Sequence, residues 1–254
     1  MTRRPRDASP YTMETMESSL VGAFRSENLI YRAIEDDESD KHFIFRSFWS
    51  DPVNYGFALL GILRPQSRQN GYKEIEEMIR TACLAVMVCL PYEKDETSSQ
   101  ASMQMDTPTE LVFDTRRKSI PIGILIVERT GPDVMRRARI GIQIAAPYQN
   151  RGYGRESINW ALDWSFRFAD LHRVEIGTGA YNERATALYK KMGFRLEGVM
   201  KEALFMDRKW HDLLSFGMLA REWESLRSAK LALDDLQRGF SFKQTDENQN
   251  RKAR

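Results

Sequence analysis

Apolar positions along the chain change period several times, and each change marks an element. Leu29–Ile34 reads as a strand. Asp36–Trp49 opens acidic and then carries Phe43, Ile44, Phe48 and Trp49 at helical spacing. Ser50-Asp51-Pro52 ends that helix, because the residue before a proline is pushed out of the helical region. An irregular aromatic stretch with Tyr55 and Phe57 leads to a helical pattern over Tyr72–Arg80 and an apolar strand over Cys83–Leu90. Strands Ile120–Glu128 and Ala138–Ile144 flank a turn containing Gly131-Pro132, which predicts an antiparallel hairpin. The second half alternates: helix Tyr153–Phe168, strand Arg173–Thr178, helix Asn182–Met192, and a strand from Gly193-Phe194 to Val199. A second hairpin over Ala203–Arg208 and Leu213–Leu219, with its turn at Lys209-Trp210, precedes a charged helix over Ala220–Leu236.

Polar segments divide the chain. Residues 1–22, with Pro5 and Pro10, predict a disordered tail, and residues 239–254 another. Residues 91–118 are rich in Ser, Thr, Asp and Met and too long for a hairpin turn, so they predict a mobile insertion. One domain is left over residues 23–224, followed by a helix over 225–238. With 42% hydrophobic and 11% aromatic residues the chain can bury a substantial core.

Acidic and basic residues are mixed along the chain and sum to +2, so no basic stripe argues for nucleic acid. Cys83 and Cys89 fall in or beside an apolar run, which predicts buried, reduced thiols. No apolar stretch reaches membrane-spanning length, and the N-terminus lacks a signal-peptide core. The expectation is a cytoplasmic monomer or homodimer with small partners. His42, His172 and His211 lack metal-ligand spacing, and no metal site is predicted.

The chemistry concentrates at Gln149-Asn150-Arg151-Gly152-Tyr153-Gly154, between the strand ending at Ile144 and the helix that follows. Two glycines one residue apart let consecutive N–H groups and the positive end of a helix turn toward one phosphate. A pyrophosphate-bearing ligand is implied. Downstream, Asn182-x-x-Ala185-x-x-Leu188-Tyr189-x-x-Met192-Gly193-Phe194 leads to Gly198, Asp207 and Trp210-x-Asp212.

In this order, these segments resemble the GNAT superfamily of N-acetyltransferases, in its RimJ/RimL-like branch. The resemblance spans Ile120–Trp223, is only topological over Ser26–Leu90, and covers neither the insertion nor the tails. It implies an α/β fold whose mixed, largely antiparallel sheet of about six to seven strands is flanked by helices and splays at a cofactor cleft. It also implies acetyl-CoA as cofactor and an amine as acceptor. Carried onto this sequence, the pyrophosphate falls to Gln149, Asn150, Arg151, Gly152, Tyr153, Gly154 and Arg155. The pantetheine arm falls to Ile142, Gln143 and Ile144, and Asn182, Ala185 and Tyr189 complete the cleft.

Acetyl transfer needs a polarised carbonyl, a neutral amine and a proton for the leaving thiolate. The resemblance gives the first role to a backbone N–H near Ile144 and the last to Tyr189 as general acid. Glu175 is the candidate base, with Glu128, Asp207 and Glu35 as competitors. Each assignment has a plainer counterpart: Tyr189 as part of an apolar helix face, Glu175 paired with Arg173 or Arg195, His211 as a turn residue. Gly177-Thr178-Gly179 departs from the family's bulkier pattern, which implies a bent or closely approached backbone at the acceptor side.

Two other functions compete. Gly152-x-Gly154-x-x-Ser157, with Glu175 about twenty residues on, is a broken dinucleotide fingerprint, but Ala145–Arg151 separate its glycines from the strand. A module of the same fold that binds acyl-CoA without turnover is the second. The acceptor stays open between a protein N-terminal α-amine and a small-molecule amine. Phe48, Trp49, Tyr55 and Phe57 lie where the acceptor wall is expected, although core packing for the first helix is the preferred reading.

Overall fold

The structure is a computed structural model that describes residues 13–58, 62–92 and 119–229. Its strands are β1 Ile30–Ala33, β2 Leu84–Pro91, β3 Ser119–Arg129, β4 Arg137–Ile144, β5 Arg173–Gly179, β6 Arg195–Met206 and β7 Lys209–Leu219. They form one sheet in the order β1-β2-β3-β4-β5-β7-β6. Every neighbouring pair is antiparallel except β4 with β5. The mixed, largely antiparallel sheet read from the sequence is therefore present. The doubly wound parallel sheet that a dinucleotide-binding oxidoreductase would need is not.

Helices cover both faces. They are α1 Met13–Leu20, α2 Glu38–Ile44 with a π-helical turn Phe45–Trp49, α3 Pro52–Ala58, α4 Arg68–Thr81, α5 Tyr153–Arg167 and α6 Glu183–Lys191. A last helix, α7, runs over residues 220–229. On one face Ile158, Ala161 and Leu162 of α5 and Tyr189 of α6 join Val88, Leu125, Ile140, Val174, Ile176 and Phe216 of the sheet in one buried cluster. On the other, Ile44, Phe48, Trp49, Tyr55 and Ile75 from α2 to α4 cover Met87, Cys89, Ile124 and Ile126. Burial on both faces explains why β2 and β3 read as continuous apolar runs rather than alternating ones. Glu156 in the first turn of α5 accepts from Ser26 Oγ at 2.6 Å and Asn28 N–H at 2.7 Å, which ties the approach to β1 onto that helix.

The single parallel pair is short. Only Arg137, Ala138 and Arg139 pair with Arg173, Val174 and Glu175. Beyond these positions β5 stays with β7 as far as Gly179, while β4 stays with β3 as far as Ile144. The sheet is thus split down its middle, and the split opens toward the head of α5.

Several expectations are corrected. Pro52–Ala58 is helical where an irregular stretch was predicted. Asp51 Oδ1 accepts from Val53 N–H at 2.9 Å and Asn54 N–H at 3.2 Å, so the Ser50-Asp51-Pro52 stop signal also starts the next helix, with Pro at its first position. Met13–Leu20 is helical within the expected tail, beyond the two prolines that argued against structure. The second hairpin turns at Asp207-Arg208, both left-handed (φ 47° and 62°), rather than at Lys209-Trp210. β6 is continuous across Lys201 and absorbs the mismatch as register shifts between Leu196/Gly198 and Met200/Leu204. Cys83 is exposed, and only Cys89 is buried. Of the insertion expected over 91–118, Pro91 instead ends β2, and residues 93–118, the tails over 1–12 and 230–254, and the end of the C-terminal helix lie outside the described residues.

Candidate active site

The split sheet encloses a cavity of about 540 Å³ that runs from one face of the sheet to the other through the gap between β4 and β5. One half is lined by Ile140, Ile142, Ile144, Tyr153, Ile158, Ala185, Leu188, Tyr189 and Leu214, the other by Trp49, Phe57, Met78, Ile124, Ile126, Gly141 and Gln143.

Backbone geometry at the gap follows from the ladder phase. Ala145 N–H donates to the Ile122 carbonyl at 2.8 Å, and Thr130 N–H donates to the Arg137 carbonyl at 3.1 Å. The register between them is unbroken, so the odd-numbered residues of β4 bond to β3. The backbone groups of Ile142 and Ile144 therefore point into the gap. The Ile144 carbonyl is taken by Gln149 Nε2 at 2.9 Å, which leaves the N–H side of this strand end for a ligand.

From β4 the chain passes through a single 3-10 turn, Ala146–Tyr148, into the cradle. Asn150 (φ 62°) and Gly152 (φ 89°) are both left-handed, and the chain reverses so tightly that α5 starts at Tyr153 with Gly152 as its cap. A cap without a side chain satisfies none of the first N–H groups of α5, and these open on the cavity wall. Gly154 differs in kind. Its φ is not left-handed, and a Cβ there would meet nothing within 4 Å. The protein's own packing does not require glycine at 154, whereas close approach of a diphosphate to the backbone does. The residues present thus fit the pyrophosphate of a CoA ligand, and an ordinary anion-binding helix end supplies the rest.

Tyr189 is buried, with Phe216 edge-on at 5.7 Å and Phe194 tilted at 6.2 Å. The left-handed Gly193 (φ 92°) closes α6, and Phe194 N–H reaches back to the Tyr189 carbonyl at 3.1 Å. Burial pushes the phenol up to about 12, so it keeps its proton. Asn182 caps α6, its Oδ1 accepting from Ala185 N–H at 3.1 Å.

Of the sequence-predicted cofactor residues, the structure brings Ile142, Gln143, Ile144, Gln149, Asn150, Gly152, Tyr153, Gly154, Arg155, Asn182, Ala185 and Tyr189 to one cavity. Arg151 is not in its wall; its guanidinium lies over the Tyr148 ring at 5.9 Å. Gln143 is on the cavity wall but on the opposite face of β4 from Ile142 and Ile144, because side chains alternate along a strand.

Glu175 is placed elsewhere. It belongs to the closed end of the split, opposite Arg139, and its carboxylate accepts from Arg173 Nε at 3.0 Å. Arg173 also pairs with Glu197. Glu175 is absent from the cavity wall, as are Glu35, Glu128 and Asp207, and no described residue of that wall is Asp, Glu or His. Among the described residues, Glu183 is the one carboxylate on the adjoining outer groove. His211 packs edge-on against Tyr181 at 5.0 Å, with Tyr181 OH donating to the Gly56 carbonyl at 2.8 Å. His172 precedes β5 and donates its N–H to the Arg136 carbonyl.

Arg184 is the residue sequence reasoning missed. From the first turn of α6 it donates to Asn150 Oδ1 at 3.0 Å and Gln149 Oε1 at 3.1 Å, and it lines the cavity beside the cradle. A cation beside an acid in the first turn of a helix, where the dipole disfavours it, was the available signal. The aromatic segment divides: Phe48 and Tyr55 are core, Trp49 is buried yet lines the cavity, and Phe57 is an exposed part of its rim.

A sheet split at its single parallel pair, with a glycine-capped helix at the mouth of the split, defines a fold class, and the chain belongs to it. Residues 28–195 match the acetyltransferase (GNAT) domain family. Among its relatives, the spermidine N(1)-acetyltransferase of Vibrio cholerae serotype O1 is 35% identical over 80 residues, which cover 32% of this chain and 46% of the relative. The ribosomal protein uS5-alanine N-acetyltransferase of Escherichia coli (strain K12) is 25% identical over 112 residues, covering 44% and 57%. The chain spans about half the length of the curated relatives it matches. A solved structure of RimL, the ribosomal L7/L12 alpha-N-protein acetyltransferase, in complex with coenzyme A, superposes with a TM-score of 0.56 at 18% identity, covering 76% of this chain and 95% of RimL. At that identity the likeness is one of fold. No described helix is long and apolar enough to cross a membrane.

Proposed function

We propose that the protein is an acetyl-CoA-dependent N-acetyltransferase that acetylates a primary amine by direct attack in a ternary complex. The observation that carries this is the continuity of the cavity: cradle, split strands and Tyr189 share one wall, which opens on both faces of the sheet.

When bound, acetyl-CoA supplies an acetyl group activated as a thioester with a thiol as leaving group. The first turn of α5 and the left-handed turn before it present N–H groups to the pyrophosphate, with Arg155 and Arg184 adding charge. Ile142 and Ile144 present backbone N–H groups in the gap, where ladder pairing does not consume them, as donors for the amide and thioester oxygens. Apolar residues on both sides keep bulk water from this region and strengthen those bonds. Tyr189 holds its proton at Oη in the same wall and is the donor to the leaving sulfur. With no carboxylate or imidazole on the wall among the described residues, water at the mouth is the proton acceptor for the amine. Glu175 is thereby relieved of the base role and acts in the arginine network of the sheet. Relatives that act on spermidine or on a ribosomal protein's alanine support an amine acceptor.

Thermal unfolding with acetyl-CoA, CoA, NADPH and no ligand tests the cofactor. Stabilisation of roughly 2.7 kcal/mol is expected at about a hundred times the dissociation constant of the CoA compounds. Stabilisation by NADPH alone would refute the assignment. Release of free CoA in the presence of an amine tests turnover.

A further inference from the structure

We infer that the half of the cavity under α2, α3 and α4 selects an α-amine adjoining an aromatic or large apolar side chain, and that it excludes polyamines. This deepens the acetyltransferase reading and rests on it.

Three observations converge. Gly141 and Gly177 each lie two residues beyond the last paired positions of β4 and β5, Arg139 and Glu175. By strand alternation they share one face, the face covered by α2, α3 and α4. A Cβ at Gly141 would meet nothing within 4 Å, so its missing side chain leaves open space rather than relieving a clash. Across this bare floor stand Trp49, Phe57 and Met78. The result is a slot with a flat backbone floor and an aromatic and thioether roof, which suits a ring or branched apolar group.

Next, Gln143 lines the same half with only 9% of its surface exposed, and its side-chain nitrogen has no partner. A buried N–H donor without an acceptor is costly unless a ligand supplies one. A carbonyl or carboxylate oxygen next to the α-amine would do so. Last, the cavity wall carries no Asp or Glu among the described residues. A polyamine would bring further cations into an apolar slot with nothing to pair them. The ligand chemistry is an α-amino acyl unit with an apolar side chain, which occurs in free amino acids and at peptide N-termini alike.

The test compares acetyl transfer by the full chain to phenylalanine, phenylalanine amide, a tripeptide beginning with phenylalanine, alanine amide and spermidine. Phenylalanine amide is expected to exceed alanine amide by tenfold or more in kcat/KM, with spermidine below both. The free acid and the tripeptide then separate an amino-acid acceptor from a peptide one. Gly141→Leu fills the slot and should reverse the phenylalanine-to-alanine preference, while its thermal shift with CoA reports an intact fold. Gln143→Leu should raise KM for the amides by about tenfold. Preference for spermidine, or equal use of the two amides, overturns the slot assignment and leaves acetyl transfer standing. No turnover with any amine overturns both.

Discussion

Arg184 Nη2 donates to Gln149 Oε1 at 3.1 Å, while the amide nitrogen of the same glutamine reaches the Ile144 carbonyl at 2.9 Å and Asn54 Oδ1 at 2.8 Å. One side chain thus joins α6, α3 and the end of β4 at the mouth of the cavity. Arg184→Ala removes a cation from the cradle and frees Gln149 and Asn150. Charge-assisted bonds of this kind are worth about 1.5–3 kcal/mol, so acetyl-CoA affinity should fall roughly tenfold or more. Calorimetric titration with CoA reads this directly, and an unchanged dissociation constant would remove Arg184 from the site.

The two cradle glycines should respond with opposite signs of stability. Gly152 is left-handed (φ 89°), so Gly152→Ala strains the turn by about 1–2 kcal/mol. Gly154 sits within the first turn of α5 with open space where a Cβ would go, so Gly154→Ala should stabilise by about 0.5–1 kcal/mol. Both should weaken CoA binding, the first by deforming the turn and the second by occupying the approach to the backbone. Paired melting curves and CoA titrations separate the effects. If Gly154→Ala binds CoA normally, the diphosphate does not approach there.

Glu175→Gln tests the reassignment of the carboxylate. Its side chain is only 13% exposed and bonds Arg173, so losing its charge should cost about 1–3 kcal/mol of stability. Activity at saturating substrates should stay within roughly threefold, because the residue does not touch the cavity. A loss of kcat by about a hundredfold, the scale of a missing general base, would return it to the catalytic role.

The residues of the cavity wall were legible where a few neighbours set the local structure. The turn before α5 and the helix read over Asn182–Met192 are each set by a few neighbouring residues and lie where the sequence pattern puts them. Strands β4 and β5 were legible for the same reason. Glu175 falls off the cavity wall, which sequence could not show because position on a strand does not give the end of the sheet at which the split opens. That depends on β4 leaving β5 after Arg139, a relationship between segments 36 residues apart in the register. Arg184 stayed hidden because its partners Gln149 and Asn150 lie on another element. α3 was lost because Ser50-Asp51-Pro52 serves as both stop and start.

Tyr189→Phe gives the sharpest test of chemistry. Removing the phenol oxygen leaves the ring against Phe194 and Phe216, so fold and CoA affinity should persist while kcat falls by about a hundredfold. A protein that only binds acyl-CoA would have no turnover to lose. The pH dependence adds a second readout. Burial raises Tyr189 from 10.0 to about 12, so the phenol stays protonated in the folded protein long after it would ionise in the unfolded chain. Its contribution to stability is complete below pH 10 and is lost as pH rises from 10 to about 12, by about 2–3 kcal/mol. Tyr189→Phe should therefore flatten the alkaline fall in unfolding free energy over that window. In the wild type kcat should show no basic limb from this group below about pH 11, since the proton donor stays loaded. A basic limb near pH 9 that vanishes in Tyr189→Phe would mean that the phenol ionises far more readily than its burial dictates.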